Sequence, residues 1–271
     1  MAMTREEIEA VVREVTDAEV QFYREHGWVM LRRLVAPEFA EQLLEVGLAH
    51  REEAGGRTEL MTRDASLEPY RSFMFSERME ANATRLCDRK RLKGIDVPLR
   101  YRYDNLVLKP PGGKGTSWHQ DASEHGSDRA GELQFWLALA TVTPEMGAMR
   151  FVDRSHREGP LGSTFNGDDD GGFNGAGDLL QQYPRLVDEL GLSEPFYYEP
   201  GDCTLHHGFC VHGGPDNTTP DPRWSFLFSY TPADTRYWPD AAGVGSVTAT
   251  NPGTRRVRAG DEANPFLRPR L

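Results

Sequence analysis

The sequence predicts a mainly β protein with flanking helices, and two observations carry that prediction. From about residue 95 to 232 the chain breaks into short runs of strand-forming residues separated by Gly- and Pro-containing turns, the pattern of a closed or sandwiched β architecture. Residues 1 to about 55 carry helix-start and helix-stop signals instead. With 271 residues, 38% of them hydrophobic, and no linker or repeat between the two parts, a single domain over 1–271 is expected.

In chain order, Thr4-x-x-Glu7 and Thr16-x-x-Glu19 are capping-box patterns that open two short helices, with Gly27 where the second would end. Trp28 to Leu31 reads as a buried strand. Pro37 starts a longer helix running to about Glu53, and Gly55-Gly56 stops it. Thr58 to Lys93 mixes loop and short helix, with Tyr70, Phe73 and Phe75 as apolar bulk suited to meeting a substrate. Leu99 to Leu108 returns to strand character, and Lys109-Pro110-Pro111-Gly112-Gly113 forms a turn. Leu133 to Val142 is an apolar, central strand. The Gly- and Asp-rich stretch from Leu161 to Asp178, with its Asp168-Asp169-Asp170 run, reads as a solvated lid, since it lacks the spacing of a calcium loop. Pro200-Gly201-Asp202 turns the chain into a strand from Cys203 to His212. From Arg223 to Tyr230, Arg223, Ser225, Leu227 and Ser229 alternate with Trp224, Phe226 and Phe228. The tail beyond Pro232 has little periodicity, and no function is assigned to it.

Composition excludes several classes of partner. A net charge of −11 and a pI near 5.3 argue against nucleic acid and anionic membrane surfaces, and equally against the phosphates of a coenzyme A thioester. The N-terminal residues lack an apolar signal region, and no stretch approaches the roughly 20 apolar residues of a membrane helix, so a cytoplasmic protein is expected. Three cysteines, Cys87, Cys203 and Cys210, without C-x-x-C spacing suggest reduced thiols. No coiled-coil heptads or exposed apolar stripe bear on oligomeric state, leaving monomer and dimer both open.

The residues that carry chemistry centre on Trp118-His119-Gln120-Asp121. In an extended strand alternate residues share a face, so His119 and Asp121 would project an imidazole and a carboxylate together. A third ligand would make the two-histidine, one-carboxylate set that suits Fe(II) and leaves coordination positions open. His206, His207 and His212 compete for that place, and period alone leaves His206 and His212 on one face. Arg223 shares a face with Ser225. Its planar fork grips carboxylates, and inside a β-barrel it needs an anion.

His119-x-Asp121, the run Val211-His212-Gly213-Gly214-Pro215-Asp216-Asn217, and Arg223 beyond it together resemble the phytanoyl-CoA dioxygenase-like family of Fe(II)- and 2-oxoglutarate-dependent oxygenases. Glu145 to Val152 followed by Ser155-His156 strengthens the likeness, which extends from Phe22-Tyr23-Arg24-Glu25-His26-Gly27 to Asp234. The resemblance implies a double-stranded β-helix, a cupin-like jelly roll, at about 95–232. It selects His212 as the third ligand, beside His119 and Asp121. His206 and His207 are then either hydrogen-bond donors behind the ligands or core histidines, the second being the preferred reading. It further implies that Arg223, helped by Ser225, anchors the far carboxylate of 2-oxoglutarate, with Asn105 and Lys109 as further co-substrate contacts; the alternatives are a solvated turn residue for Lys109 and a turn-satisfying amide for Asn105. Trp136, on a core strand, is read first as a packing residue and second as a co-substrate contact. Glu124 and His125 are further candidates for facing substrate.

The activity implied is O2-dependent oxidation of a C–H bond in a small molecule, with 2-oxoglutarate leaving as succinate and CO2. The outcome would be hydroxylation, or cyclisation, desaturation or epimerisation begun by the same hydrogen abstraction, in secondary metabolism. Related halogenases lack the carboxylate that Asp121 supplies, so no halogenation is expected. The competing reading is a metal-binding barrel without redox chemistry, either a cupin-like isomerase or an inactive binding module. Arg223 and Ser225 speak against it, since neither role needs a 2-oxoglutarate anchor.

Overall fold

The computed structural model describes residues 3–56, 67–87, 98–122, 131–161 and 178–236. The chain opens with α1 (Arg5–Val11) and α2 (Asp17–His26), each started by the expected capping box. In these, Thr4 and Thr16 accept from the backbone of Glu7 and Glu19, whose side chains reach back. Gly27 closes α2 in the left-handed conformation, at φ 80°. After β1 (Trp28–Leu31) comes α3 (Pro37–Glu53), which ends before Gly55 and Gly56, both at positive φ. Two short helices, α4 (Tyr70–Met74) and α5 (Glu77–Leu86), precede the sheets.

The strands are β2 (Leu99–Lys109), β3 (Thr116–His119), β4 (Leu133–Ala138), β5 (Arg150–Phe151), β6 (Cys203–His207), β7 (His212–Gly214) and β8 (Arg223–Pro232). Among the described residues they form a five-stranded sheet in the order β1-β6-β4-β8-β2 and a three-stranded sheet in the order β3-β7-β5, with antiparallel pairing throughout. From β2 to β8 each strand lies in the opposite sheet from the one before it. That alternation is the winding of a jelly roll, so the fold is mainly β with flanking helices, as expected. Helices α6 (Leu179–Gln182) and α7 (Arg185–Leu190) pack Leu179 and Leu186 with Val152, Val211 and Trp118 beside the small sheet. Among the described residues no helix is long and apolar enough to cross a membrane.

Register divides the large sheet into two faces, because residues paired directly across strands point the same way. On the outer face Leu106 pairs Phe226, Phe226 pairs Leu137, and Phe228 pairs Phe135, which in turn pairs Leu205. These side chains meet α3 and α4 in the main core, where Phe39 packs on Phe73, Phe73 on Phe228 and Tyr70 on Phe226. Each buried Phe contributes roughly 1.5–3 kcal/mol. Tyr70 and Phe73 are therefore core residues on the far side of the sheet from the polar face, which corrects the expectation that they meet substrate. Their ring edges are already used by Phe226 and Phe228.

Two predicted strands are shorter than expected. β4 is the central strand of its sheet but ends at Ala138, where the chain bends so that Val142 pairs with Tyr198. The run from Cys203 to His212 is two strands in different sheets. At Gly208 a Cβ would lie 2.9 Å from the Ala122 Cβ and 3.1 Å from the Glu132 Cβ, and the chain turns there from β6 into β7. The Asp168–Asp170 run, Glu124, His125 and the tail from Tyr237 lie outside the described residues.

Candidate metal centre

His119 ends β3 and pairs directly with His212 at the start of β7, their rings 4.2 Å apart between centroids. Each imidazole is oriented the same way. Nδ1 of His119 lies 2.7 Å from the carbonyl of Ser117, and Nδ1 of His212 lies 3.0 Å from the carbonyl of Cys210, each two residues back. A carbonyl only accepts, so both Nδ1 atoms carry the proton and the neutral rings turn a bare Nε2 outward. Gly213 belongs to this arrangement, since a Cβ there would sit 2.9 Å from the Thr116 carbonyl and 3.1 Å from the Trp118 ring. Ser155 steadies the entry to β7 by accepting from Val211 N–H and donating to Val152 O, both at 2.8 Å.

Asp121 reaches the same place by a different route from the one expected. The strand stops at His119, and Asp121 stands in a helical turn rather than two residues along a β-strand. What holds the turn is Gln120, whose buried amide donates to the carbonyls of Gly159 (2.9 Å) and Phe209 (2.7 Å) and accepts from Leu161 N–H. Ala122 N–H adds a bond to the Gly208 carbonyl at 2.9 Å. The donor atoms of His119, Asp121 and His212 consequently all lie within 4.8 Å of one another, in a buried pocket. Burial raises the Asp121 carboxyl, but His212, then His119 and His206, outweigh it and hold the group well below the usual carboxylate range. Burial, followed by the nearby His206 and His119, drives His212 well below the usual histidine range. An ionised carboxylate and a neutral imidazole are the forms that bind a metal.

This donor set fits a metal cation on its own chemistry. Nε2 of His119 is 3.3 Å and Nε2 of His212 is 3.6 Å from oxygens of Asp121, so in the metal-binding forms of the three groups their lone pairs converge on one point. A cation at that point relieves their mutual repulsion.

At the far end of the inner face stands a second charged group. Arg223 is buried, its Nε has no partner, and its Nη1 donates to the Gly147 carbonyl. Burial lowers its pKa to about 10. Among the described residues no carboxylate pairs with it. Lys109 is its cross-strand partner; burial and then the Arg223 charge lower the Lys109 pKa to about 8. Lys109 Nζ donates to the Pro215 carbonyl at 2.8 Å, and Gly147 leaves it room, a Cβ there lying 2.9 Å from Nζ. Asn217 braces the neighbouring turn by donating to the carbonyls of Lys109, Pro110 and Asp221. Two buried cations side by side, with the Ser225 hydroxyl also lacking a partner, fit a carboxylate-bearing anion. Trp136 lies under the guanidinium, 5.2 Å from ring centroid to Cζ, and packs with Tyr198, so it joins the core and this pocket at once.

Sequence reasoning prefers a core histidine at His206 over a donor behind the ligands, and the geometry matches the donor: its Nε2 lies 2.9 Å from Oδ2 of Asp121 and its ring 4.1 Å from that of His212. The local signal that it faces inward is alternation within β6, where the neighbouring Leu205 faces the apolar core. His207, one position on, faces the other way toward His156, and burial lowers its pKa to about 3, so it is the core histidine expected.

The phytanoyl-CoA dioxygenase (PhyH) family model matches residues 23–225. Among solved structures, the chain is similar to the non-haem alpha-ketoglutarate-dependent carbocyclase SnoK from nogalamycin biosynthesis, at 22% identity and a TM-score of 0.68 over 96% of this chain and 95% of that one. It is also similar to the epimerase SnoN in complex with Fe3+, alpha-ketoglutarate and nogalamycin RO, at 25% identity and a TM-score of 0.64 over 90% and 93%. A third likeness is to EctD from S. alaskensis with bound Fe, at 18% identity and a TM-score of 0.65 over 84% and 83%. No curated protein sequence matches the chain. The family match runs from α2 into β8, taking in the histidines, the carboxylate and the arginine just described, and the chain belongs to the phytanoyl-CoA dioxygenase family.

Proposed function

We propose that the protein is an Fe(II)- and 2-oxoglutarate-dependent dioxygenase that oxidises a C–H bond of a small molecule. The observation that carries this reading is a buried three-donor cluster centred on the small sheet together with a buried guanidinium on the large sheet that pairs with no carboxylate among the described residues. His119, Asp121 and His212 would hold the iron. Arg223, with Ser225 and Lys109, would hold the far carboxylate of 2-oxoglutarate, and Asn105 and Trp136 would flank it. When bound, the iron and co-substrate supply O2 activation at the expense of 2-oxoglutarate, which leaves as succinate and CO2.

The chain's own part is to position and to exclude water. The β3–β7 pair fixes two imidazoles, the Gln120 turn fixes the carboxylate, and β8 fixes the anchor, so the reacting groups sit on rigid elements in a dry interior. Hydroxylation is one outcome. Carbocyclisation or epimerisation of a secondary metabolite, as the SnoK and SnoN structures are described, is equally compatible with this frame. We read the protein as one domain working in the cytoplasm, and its net charge of −11 disfavours nucleic acid as a partner.

An anaerobic titration of metal-free protein with Fe(II) and then 2-oxoglutarate tests this. A visible metal-to-ligand charge-transfer band, followed on O2 admission by slow succinate release without substrate, is the expected result. Protein that binds the metal but gives neither band nor succinate would make a barrel without redox chemistry the better account.

A further inference from the structure

We infer that His206 is a positioning residue, which donates a hydrogen bond to Asp121 and so limits that carboxylate to one oxygen on the metal. The inference rests on the metal site proposed above and goes beyond its three ligands. It starts from a question of protons. With Nδ1 of His119 and His212 donating to backbone carbonyls, neither of these rings in its metal-binding form has an Nε2 proton to offer Asp121. His206 differs, since its Nδ1 is buried and has no partner, whereas its Nε2 lies 2.9 Å from Oδ2 of Asp121. A neutral ring with its single proton on Nε2 meets that carboxylate and leaves only a lone pair unpaired at Nδ1. The opposite tautomer would bury an unpaired N–H and set a lone pair against a negative oxygen.

The backbone makes this bond dependable. His206 lies within β6, which is hydrogen-bonded on one side to β1, with Trp28 opposite, and on the other to β4, with Gln134 opposite. The Phe151 ring lies 5.4 Å from its own, and the residue is 1% exposed. The imidazole is thereby held on a rigid strand, facing the carboxylate that the Gln120 turn presents. The restraint matters because a carboxylate is able to bind through both oxygens, and the second would take a coordination position that 2-oxoglutarate or O2 requires. A hydrogen bond on Oδ2 blocks that swing, and such partners of ligand groups commonly change metal affinity or activity by roughly 10–100-fold when removed.

The test compares wild type, His206→Phe and His206→Gln in anaerobic Fe(II) titrations, with melting curves for folding and the charge-transfer band with 2-oxoglutarate as a spectroscopic readout. Phenylalanine keeps bulk without a donor, and glutamine restores an N–H near the position of Nε2. We expect His206→Phe to bind Fe(II) roughly 10–100-fold more weakly with a shifted band, and His206→Gln to recover most of both. Wild-type affinity and band in a folded His206→Phe would overturn the inference, as would a His206→Gln protein no better than His206→Phe. The latter is the result for a histidine that binds the metal itself or only packs.

Nitrogen-15 NMR of the wild-type imidazoles, metal-free and Zn(II)-loaded, needs no variant. An Nε2–H tautomer at His206 supports the inference, and an Nδ1–H tautomer removes it. A wild-type protein that bound no Fe(II) would instead sink the metal site on which the inference rests.

Discussion

The two faces of the five-stranded sheet come from the same strands, residue by residue, and do opposite work. Outward, Leu106, Phe226, Phe228, Phe135 and Leu205 close against helices in a continuous apolar core. Inward, one residue along in each case, stand Asn105, Ser225, Leu227, Gln134 and His206, with Arg223 and Lys109 at one end. Most of the polar face is buried too, with Asn105 and Leu227 half-buried, so it is not simply the wet side of a half-exposed sheet. Five of its polar atoms, on Asn105, His206, Arg223, Ser225 and Ser229, are buried without a partner. Unpaired buried groups of this kind cost roughly 1–3 kcal/mol each, a cost that a bound anion would offset at Arg223 and Ser225. The apolar face supports stability, and the polar face stores binding capacity at stability's expense.

The largest expected break in this contrast is on the apolar side. Phe228 stacks on Phe135 at 5.0 Å and meets Phe73 edge-on at 5.4 Å. Phe228→Ala should lower unfolding free energy by about 3–5 kcal/mol in denaturant titrations. Material that remains folded should keep its affinity for 2-oxoglutarate, because the neighbouring Leu227 and Ser229, not Phe228, face inward. Arg223→Ala should do the reverse. Losing a charge-assisted, forked contact should weaken 2-oxoglutarate binding by about 2–3 kcal/mol, read by calorimetry on the Fe(II)-loaded protein. Its stability without ligand should stay level or rise, since a buried charge without a counter-ion is gone. A marked loss of ligand-free stability in Arg223→Ala would return the arginine to a structural role.

That division was partly legible beforehand. Alternation along Arg223 to Tyr230 correctly placed Arg223 and Ser225 together, because β8 is a long, regular strand paired on both sides. The capping boxes and Pro37 located the N-terminal helices for equally local reasons. Period misled where the chain leaves regular structure. Asp121 sits in a turn made by the Gln120 amide and distant carbonyls, and the Cys203–His212 run changes sheet at Gly208. Neither bond partners nor close approach across ninety residues are written in local spacing, which is why the sequence reading prefers His206 in the core. The aromatic residues near Tyr70 were misread for a similar reason, since a buried Phe looks the same in sequence whether it covers a core or a pocket.

A smaller effect sharpens the contrast through pH. Lys109 loses its proton near pH 8 in the folded protein but near the ordinary lysine value in the unfolded chain. Between these values the unfolded chain binds more protons, so ligand-free stability should rise as pH increases through that window. The affinity for 2-oxoglutarate should move the opposite way, falling as pH climbs past about 8 and the lysine charge is lost. Binding at pH 8.5 to 9 should therefore take up protons, which calorimetry in buffers of different ionisation enthalpy measures. Lys109→Met should abolish the uptake. Uptake that persisted in this variant would mean that another group carries the proton.

The finest test uses two serines on one strand. Ser225 and Ser229 face inward from β8, both are fully buried and both have hydroxyls without partners, yet only Ser225 stands two residues from Arg223. Ser225→Ala should cost about 1 kcal/mol in 2-oxoglutarate affinity, roughly fivefold, with ligand-free stability level or slightly higher. Ser229→Ala should be as mild toward stability but leave 2-oxoglutarate affinity, measured without substrate, unchanged. Burial and orphaned polarity are matched in the pair, so a difference in affinity would isolate position along the strand as its cause. Equal losses from both serines would mean that the anion site extends along the whole inner face rather than ending beside Arg223.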